Sequence, residues 1–298
     1  MSRVTYFNPY NRMLHHLDPN VTLVADFANW TDYHDEKIEE LIKYGRERKL
    51  KTSITVFMIE TLEHNRLWAE HNIIEKFSNY DIDYLIFYCY YPTNIFNEDP
   101  VTSIFYAMKL NLNTQAALYD DSFKFYDNGI LDESKFDCFE GNFKYLKGRE
   151  NPEILELNKL LKAGKFLEFE KRTGMKYEFS EFIKEGKKIG RKIGFPTINQ
   201  EVDDKLPLEK GVFLSKVYVR GIEDRSFFGI SDHWDNAEGK TMFETYILDF
   251  NQDIYGWQVR IVPLEYIREN KKVNNLEELK ELINKDLEKA KNLISKIK

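Results

Sequence analysis

The first half of the chain alternates short apolar runs with helical patterns. Residues 21–27 (VTLVADF) read as a buried strand. Over residues 36–49, Ile38, Leu41, Ile42 and Gly45 fall on one face at helical spacing. Residues 53–59 (SITVFMI) and 84–91 (YLIFYCYY) read as a second and a third strand, and residues 111–118 as a fourth. Strands separated by helix-length connections predict an α/β unit with a parallel, doubly wound sheet. Residues 153–182 then carry a mainly helical pattern.

The rhythm changes at Gly186. Gly186, Gly190 and Gly194 fall close together, and short alternating runs follow at residues 211–220, 226–231, 242–250 and 255–263. Turn residues separate them, which predicts an antiparallel sheet or small barrel. A closing helix is expected over residues 276–297, with Leu276, Leu279, Leu282, Ile283, Leu287, Leu293 and Ile294 as its apolar stripe. Asn274 or Asn275 is the candidate cap. The boundary is placed near residues 177–180, giving domains at 1–178 and 179–298. The tyrosine-rich run at 84–91 fits a buried strand better than an interaction surface.

A length of 298 residues suits two domains, and 42% hydrophobic with 15% aromatic residues is ample for packed cores. No apolar run approaches the roughly 20 residues of a bilayer span, and the first residues lack a secretory layout. Cys89 and Cys138 have neither framework nor metal spacing. A cytoplasmic protein without membrane contact is expected. The charge adds a detail: residues 179–298 hold 21 basic and 21 acidic side chains, so residues 1–178 carry the whole net −7. Neither half has the basic stripe that nucleic-acid binding needs.

Candidate chemistry concentrates in residues 186–199, GKKIGRKIGFPTIN. Its three glycines allow close backbone approach to an anion, and Lys187, Lys188, Arg191 and Lys192 supply attraction. Pro196 favours an extended chain at Phe195. On an extended segment Thr197 and Asn199 share a face, and their oxygens suit a Mg²⁺ ion that keeps its waters and binds phosphates. A carboxylate at Glu244, within an otherwise core-like strand, points to a site or to water.

This string resembles the riboflavin kinase domain of bacterial bifunctional riboflavin kinase/FAD synthetases. The resemblance extends through LPLEKGVF (206–213), ETYILDF (244–250), IYG (254–256), the IRENKKV segment and the last helix with Asp286. It implies a small antiparallel β-barrel that transfers the ATP γ-phosphate to riboflavin, giving FMN. It also implies that Gly186, Gly190, Arg191, Gly194 and Pro196 contact the nucleotide, that Thr197 and Asn199 hold Mg–ATP, and that Glu244 is the general base. One departure lies at residues 229–240, GISDHWDNAEGK, where the family usually carries Asn-Ile-Gly and then Pro-Thr. There His233 and Trp234 read as loop surface residues, with stacking on a flavin as the alternative.

By the same resemblance the first half should be a nucleotidyltransferase-like (Rossmann-like) FAD synthetase domain. Its phosphate-gripping motif, Gly-X-Phe-Asp-Gly-X-His-X-Gly-His, aligns with ADFANWTDYH at 25–34. Phe27 and His34 are kept, but Ala28 replaces Asp, Asn29 and Tyr33 replace glycines, and Thr31 replaces a His. The later phosphate motifs are reduced to DDSFKFY (120–126) and EILELNK (153–159). Loss of FMN adenylylation is therefore expected, with a structural or interaction role in its place. A still bifunctional enzyme and a non-catalytic flavin-binding or assembly protein are the competing expectations.

Overall fold

The computed structural model describes residues 2–8, 17–59, 66–90, 100–123, 133–186, 188–219 and 226–297. Lys187, Tyr91, Arg220 and residues 124–126 of the sequence motifs lie outside the described residues. The chain divides into two compact units, Met1–Leu155 and Glu156–Lys298.

The first unit is built on a six-stranded parallel sheet. Its strands are β1 (Arg3–Phe7), β2 (Asn20–Val24), β3 (Lys51–Ile59), β4 (Tyr84–Tyr90), β5 (Thr114–Asp120) and β6 (Phe143–Leu146), in the order β1-β4-β3-β2-β5-β6. Helices α1 (Asp35–Arg48), α2 (Glu70–Phe77) and α3 (Pro100–Leu112) lie between strands. The doubly wound expectation is met. Every residue of β2 is buried, as a central strand covered on both faces should be. Gly45 of α1 lies so near β3 that an added Cβ would stand 2.7 Å from the Thr52 methyl. Ile104, Phe105, Met108 and Leu112 of α3 join Ile86, Tyr88, Ala117 and Tyr119 in one core. The tyrosine-rich run is thus a buried strand: Tyr84 and Tyr88 belong to that core.

Several boundaries move. β2 stops at Val24, because Phe27–Asn29 forms a 3-10 turn whose Asn29 amide donates to Asp26 and accepts from the Leu67 N–H. The expected strand at 111–118 begins later: α3 runs to Leu112, Asn113 takes a left-handed φ of 53°, and only then does β5 start. Asparagine tolerates that conformation better than most residues.

In the second unit helices α4 (Pro152–Lys162) and α5 (Phe166–Thr173) lead into β7 (Phe179–Lys184), short helix α6 (Ile189–Lys192), β8 (Thr197–Glu201), β9 (Gly211–Val219), β10 (Ser226–Asp235), β11 (Thr241–Ile247), β12 (Gln258–Arg268) and α7 (Leu276–Ile297). The strands close an antiparallel barrel in the order β10-β11-β8-β7-β12-β9. The segment read as mainly helical to residue 182 therefore ends in a strand. The second compact unit begins at Glu156, so most of α4 and all of α5 are grouped with the barrel, and packing ties them to it. Phe166 of α5 stands 6.1 Å from the Phe213 ring of β9, and Gly164 approaches Tyr266 of β12.

Side chains alternate around the barrel as the pleat requires. Phe179, Phe213 and Phe243 pack inside, with Phe179–Phe243 and Phe213–Phe243 centroids 4.9 and 6.0 Å apart. The interior also holds a polar knot in which Ser231 Oγ bonds Ser215 Oγ and Thr245 Oγ1 at 3.0 and 2.9 Å. On the outside, α7 lays Leu287, Ala290, Leu293 and Ile294 over Val212, Leu214 and Ile230. Asn275 caps this helix: its Oδ1 accepts from the Glu278 N–H at 2.8 Å, while Glu278 reaches back to the Asn274 N–H.

Candidate functional site

The central strands of the barrel set one row of polar side chains. In the β8–β11 pairing, Asn199 is the direct partner of Glu244 and Thr197 of Tyr246. In the β10–β11 pairing, Asp232 is the partner of Glu244 from the other side. Directly paired residues share a sheet face with Cβ atoms about 5 Å apart. Phe243 and Thr245 are buried inward, so Glu244 and its partners point outward, the side on which α7 packs. Glu244 thus lies in mid-strand, flanked by Asn199 and Asp232.

The glycine segment folds onto this row. An added Cβ at Gly186 would stand 2.4 Å from the Asn199 amide, and one at Gly190 would stand 2.2 Å from the Phe195 carbonyl oxygen. The Phe195 N–H donates to the Gly190 carbonyl at 2.8 Å, closing α6 back on the start of β8. Gly194 takes a φ of +91°, which a side chain would strain. Two glycines are therefore required by close packing and the third by backbone conformation. Pro196 and Arg191 are exposed beside them, and the Phe195 ring sits edge-on to Tyr246. Gly186, Gly190, Arg191, Gly194, Pro196, Thr197, Asn199 and Glu244 thus belong to one neighbourhood.

Farther along the outer face, Asp232 pairs with Val212 of β9, and Val212 with Arg268 of β12. The Arg268 guanidinium is held by Asp286 of α7 through Nε at 2.9 Å and Nη2 at 2.6 Å. Burial pushes the Asp232 carboxyl up to about 6; Asp286 raises it further and Arg268 opposes. Its Oδ1 is buried with no hydrogen-bond partner among the described residues. Sequence reading missed Asp232, since only the strand register places it beside Glu244. It also misplaced His233: β10 continues to Asp235, and the imidazole is buried 5.6 Å from the Phe243 ring, with Nδ1 3.0 Å from the Glu209 carbonyl oxygen. Trp234 is half-buried opposite Met242, in strand rather than loop.

The donor set matches a Mg²⁺ ion carried by phosphates. Among the described residues no three His, Cys, Asp or Glu side chains form a closed cage. Thr197 and Asn199 offer an open pair of hard oxygens instead, the arrangement Mg²⁺ favours when nucleotide and water complete its shell.

The first unit also brings its candidate residues together, but differently. They lie at the carboxyl ends of β2 and β5, where the strand order reverses and open α/β sheets bind ligands. Phe27 and His34 are both buried, with rings 5.1 Å apart. The Thr31 N–H donates to His34 Nδ1 at 3.1 Å, and burial holds the imidazole down to about 4. Tyr33 donates its hydroxyl to Asp120 Oδ2 at 3.0 Å and accepts the Arg149 N–H at 3.1 Å. Asp120, buried at the end of β5, further receives Ser122 Oγ at 2.6 Å and lies 3.4 Å from Lys37 Nζ. Lys37 also donates to the Lys147 carbonyl, and Asn151 to the Thr31 hydroxyl. These polar groups satisfy one another.

Residues 173–294 match the family model for riboflavin kinase (Flavokinase). A bifunctional riboflavin kinase/FMN adenylyltransferase of Buchnera aphidicola subsp. Schizaphis graminum is 23% identical over 278 residues, 87% of this chain and 88% of that one. The protein of the same description from Haemophilus influenzae is 32% identical over 125 residues, 41% of this chain and 40% of that one. A solved structure described as a macrolide-efflux protein from Streptococcus pneumoniae aligns over 96% of this chain and 99% of that one, with a TM-score of 0.57 and 18% identity. At that identity the likeness is one of fold.

Proposed function

We propose that the chain is a member of the bifunctional riboflavin kinase/FMN adenylyltransferase family and that its riboflavin kinase domain, matched at residues 173–294, transfers the γ-phosphate of ATP to the ribityl 5′-hydroxyl of riboflavin. The observation that carries the reading is the direct pairing of Asn199 with Glu244, with Gly186 packed on the Asn199 amide. It sets a candidate base next to oxygen ligands and a glycine-lined approach for phosphates.

In this reading residues 186–196 cradle the triphosphate, and Thr197 and Asn199 hold the Mg²⁺ that accompanies ATP. When bound, that ion neutralises charge developing on the phosphate oxygens. Glu244 takes the proton of the 5′-hydroxyl as its oxygen bonds to the γ-phosphorus. The bond to the bridging β,γ-oxygen breaks, and ADP leaves with that electron pair. Phosphoryl transfer asks for positioning, metal neutralisation and one base.

The first unit, on the same reading, no longer adenylylates FMN. Tyr33 stands where the resembled motif has a glycine, and its hydroxyl ties Asp120 instead of leaving backbone open to phosphates. No helix among the described residues is long and apolar enough to cross a membrane, and a cytoplasmic enzyme without nucleic-acid partners fits the charge pattern. The test is incubation of the full chain with riboflavin and Mg–ATP, followed by chromatography of the flavins. FMN without FAD is expected. FAD would return adenylylation to the first unit, and absence of FMN would leave the barrel a flavin-binding module.

A further inference from the structure

Asp232 has no part in the chemistry assigned so far, yet the barrel holds it beside Glu244. The β10–β11 register makes the two direct partners, and Asn199 flanks Glu244 on the opposite side. The outer-face row therefore runs Asn199, Glu244, Asp232, with neighbouring strands about 4.8 Å apart. Its two ends differ in chemistry. The Asn199 end carries the glycine segment and its basic residues, suited to phosphates. The Asp232 end carries a carboxylate whose buried Oδ1 has no hydrogen-bond partner among the described residues.

An orphaned buried carboxylate oxygen is costly, and a donor that fills it is favoured. The protein's nearby cation does not supply that donor directly: Arg268 is engaged by three hydrogen bonds to Asp286 and one to the Glu269 carbonyl. A second anion is disfavoured there, because Asp286 already acts on Asp232 with negative charge. A neutral donor is what remains, and a hydroxyl fits.

Resting on the kinase reading above, we infer that Asp232 accepts a hydrogen bond from a ribityl hydroxyl inward of the 5′ position and so fixes the direction of the sugar chain along the row. With the 5′-hydroxyl at Glu244 and the phosphates toward Asn199, the rest of the chain must leave on the Asp232 side. One strand spacing of about 4.8 Å along the row spans roughly three to four C–C bonds of an extended polyol. Asp232 is thus a specificity residue for the polyol tail, and its contact is independent of the flavin ring.

The test compares riboflavin with lumiflavin, which has the same ring system with a methyl in place of the ribityl chain. Binding to the full chain in the presence of Mg–ADP is followed by flavin fluorescence. Asp232→Val is expected to weaken riboflavin about tenfold or more, the equivalent of one lost charge-assisted hydrogen bond, and to leave lumiflavin unchanged. Asp232→Asn keeps one acceptor oxygen and is expected to stay within about threefold of wild type, which also covers failure of the valine variant to fold. Unchanged riboflavin binding in Asp232→Val, an equal loss for both flavins, or an equal loss in the asparagine variant would each overturn the assignment. The kinase reading fails separately: a wild type that binds riboflavin but forms no FMN overturns that reading and leaves the Asp232 comparison standing. A wild type that discriminates neither flavin overturns the Asp232 assignment itself.

Discussion

The candidate sites of the two units treat their polar groups in opposite ways. In the first, the switch point of the sheet is closed by its own side chains: Tyr33, Ser122 and Lys37 converge on Asp120, and His34 is tied to Thr31. In the second, the outer-face row of the barrel leaves a buried carboxylate oxygen of Asp232 without a partner among the described residues. A satisfied network stabilises and has little left to offer a ligand. An unsatisfied one costs stability and is retained where a ligand completes it.

The largest effect is expected at Glu244. Glu244→Gln keeps shape and one acceptor oxygen but removes the base, so FMN formation should fall by roughly 10²–10⁴-fold. Riboflavin binding should stay near wild type. A turnover assay beside a binding titration checks both, and unchanged turnover would remove Glu244 from the mechanism.

Acid response should separate the units next. The folded His34 sits at about 4 against an ordinary 6.5, chiefly through burial, with Asp120, Lys37 and Lys76 as the charges around it. Between those values the unfolded chain binds more protons, so the stability it contributes is complete above about 6.5 and is lost as pH falls through about 4. The gap corresponds to roughly 3 kcal/mol. In the second unit His233 is also lowered to about 4 by burial, but Asp232 is raised to about 6. Asp232 works in the opposite sense: the folded state binds more protons, and stability is lost as pH rises toward 6. The two effects offset one another between about 4 and 6. The first unit should therefore unfold first on acidification, as read by variants keeping only Trp30 and Trp68 or only Trp234 and Trp257. His34→Gln should flatten the first unit's response, and equal acid midpoints for the two units would contradict the picture.

A smaller effect is expected at Gly190. A methyl there meets the Phe195 carbonyl oxygen at 2.2 Å, so Gly190→Ala must displace α6 from the start of β8. A cost of about 1–3 kcal/mol follows, together with weaker Mg–ATP binding. Gly239 is the control, being a turn glycine with open space around it but a φ of +76°. Gly239→Ala should lose stability through backbone strain alone and leave nucleotide binding intact. Thermal melts with and without Mg–ATP distinguish the two.

What was legible in the sequence depended on whether the signal was local. The βα alternation, the closing helix and the GFPTIN segment are local patterns, and each appeared where the pattern placed it. β7 was hidden because FSEFIK follows two genuine helices and contains charged residues in place of a clear alternation. The Asn199–Glu244–Asp232 row is a product of register, which links positions far apart in the chain. Thr197 and Asn199 were readable as one face of one strand; that Glu244 joins them needed the barrel. His233 was misread because the GISDHW run continues β10 while its composition looks like a loop. In the first unit the missing motif glycines were visible, whereas the closure of Asp120 by Tyr33, Ser122 and Lys37 was not.

The smallest expected effect tests the closed network directly. Tyr33→Phe removes one hydroxyl that donates to Asp120 and accepts the Arg149 N–H. Asp120 keeps Ser122 and Lys37, so its charge is not abandoned, and the loss should be about 1 kcal/mol. The ring remains, including its edge-on contact with His34 at 5.1 Å and the Lys37 ammonium 4.8 Å from its centroid. Kinase turnover should not move, because the residue belongs to the other unit. FAD should stay undetected, since removing one oxygen opens no backbone to a phosphate. A Tyr33→Phe chain that gains measurable FAD formation would show that the hydroxyl alone had been holding the site shut, and the contrast between a closed unit and an open one would then rest on a single bond.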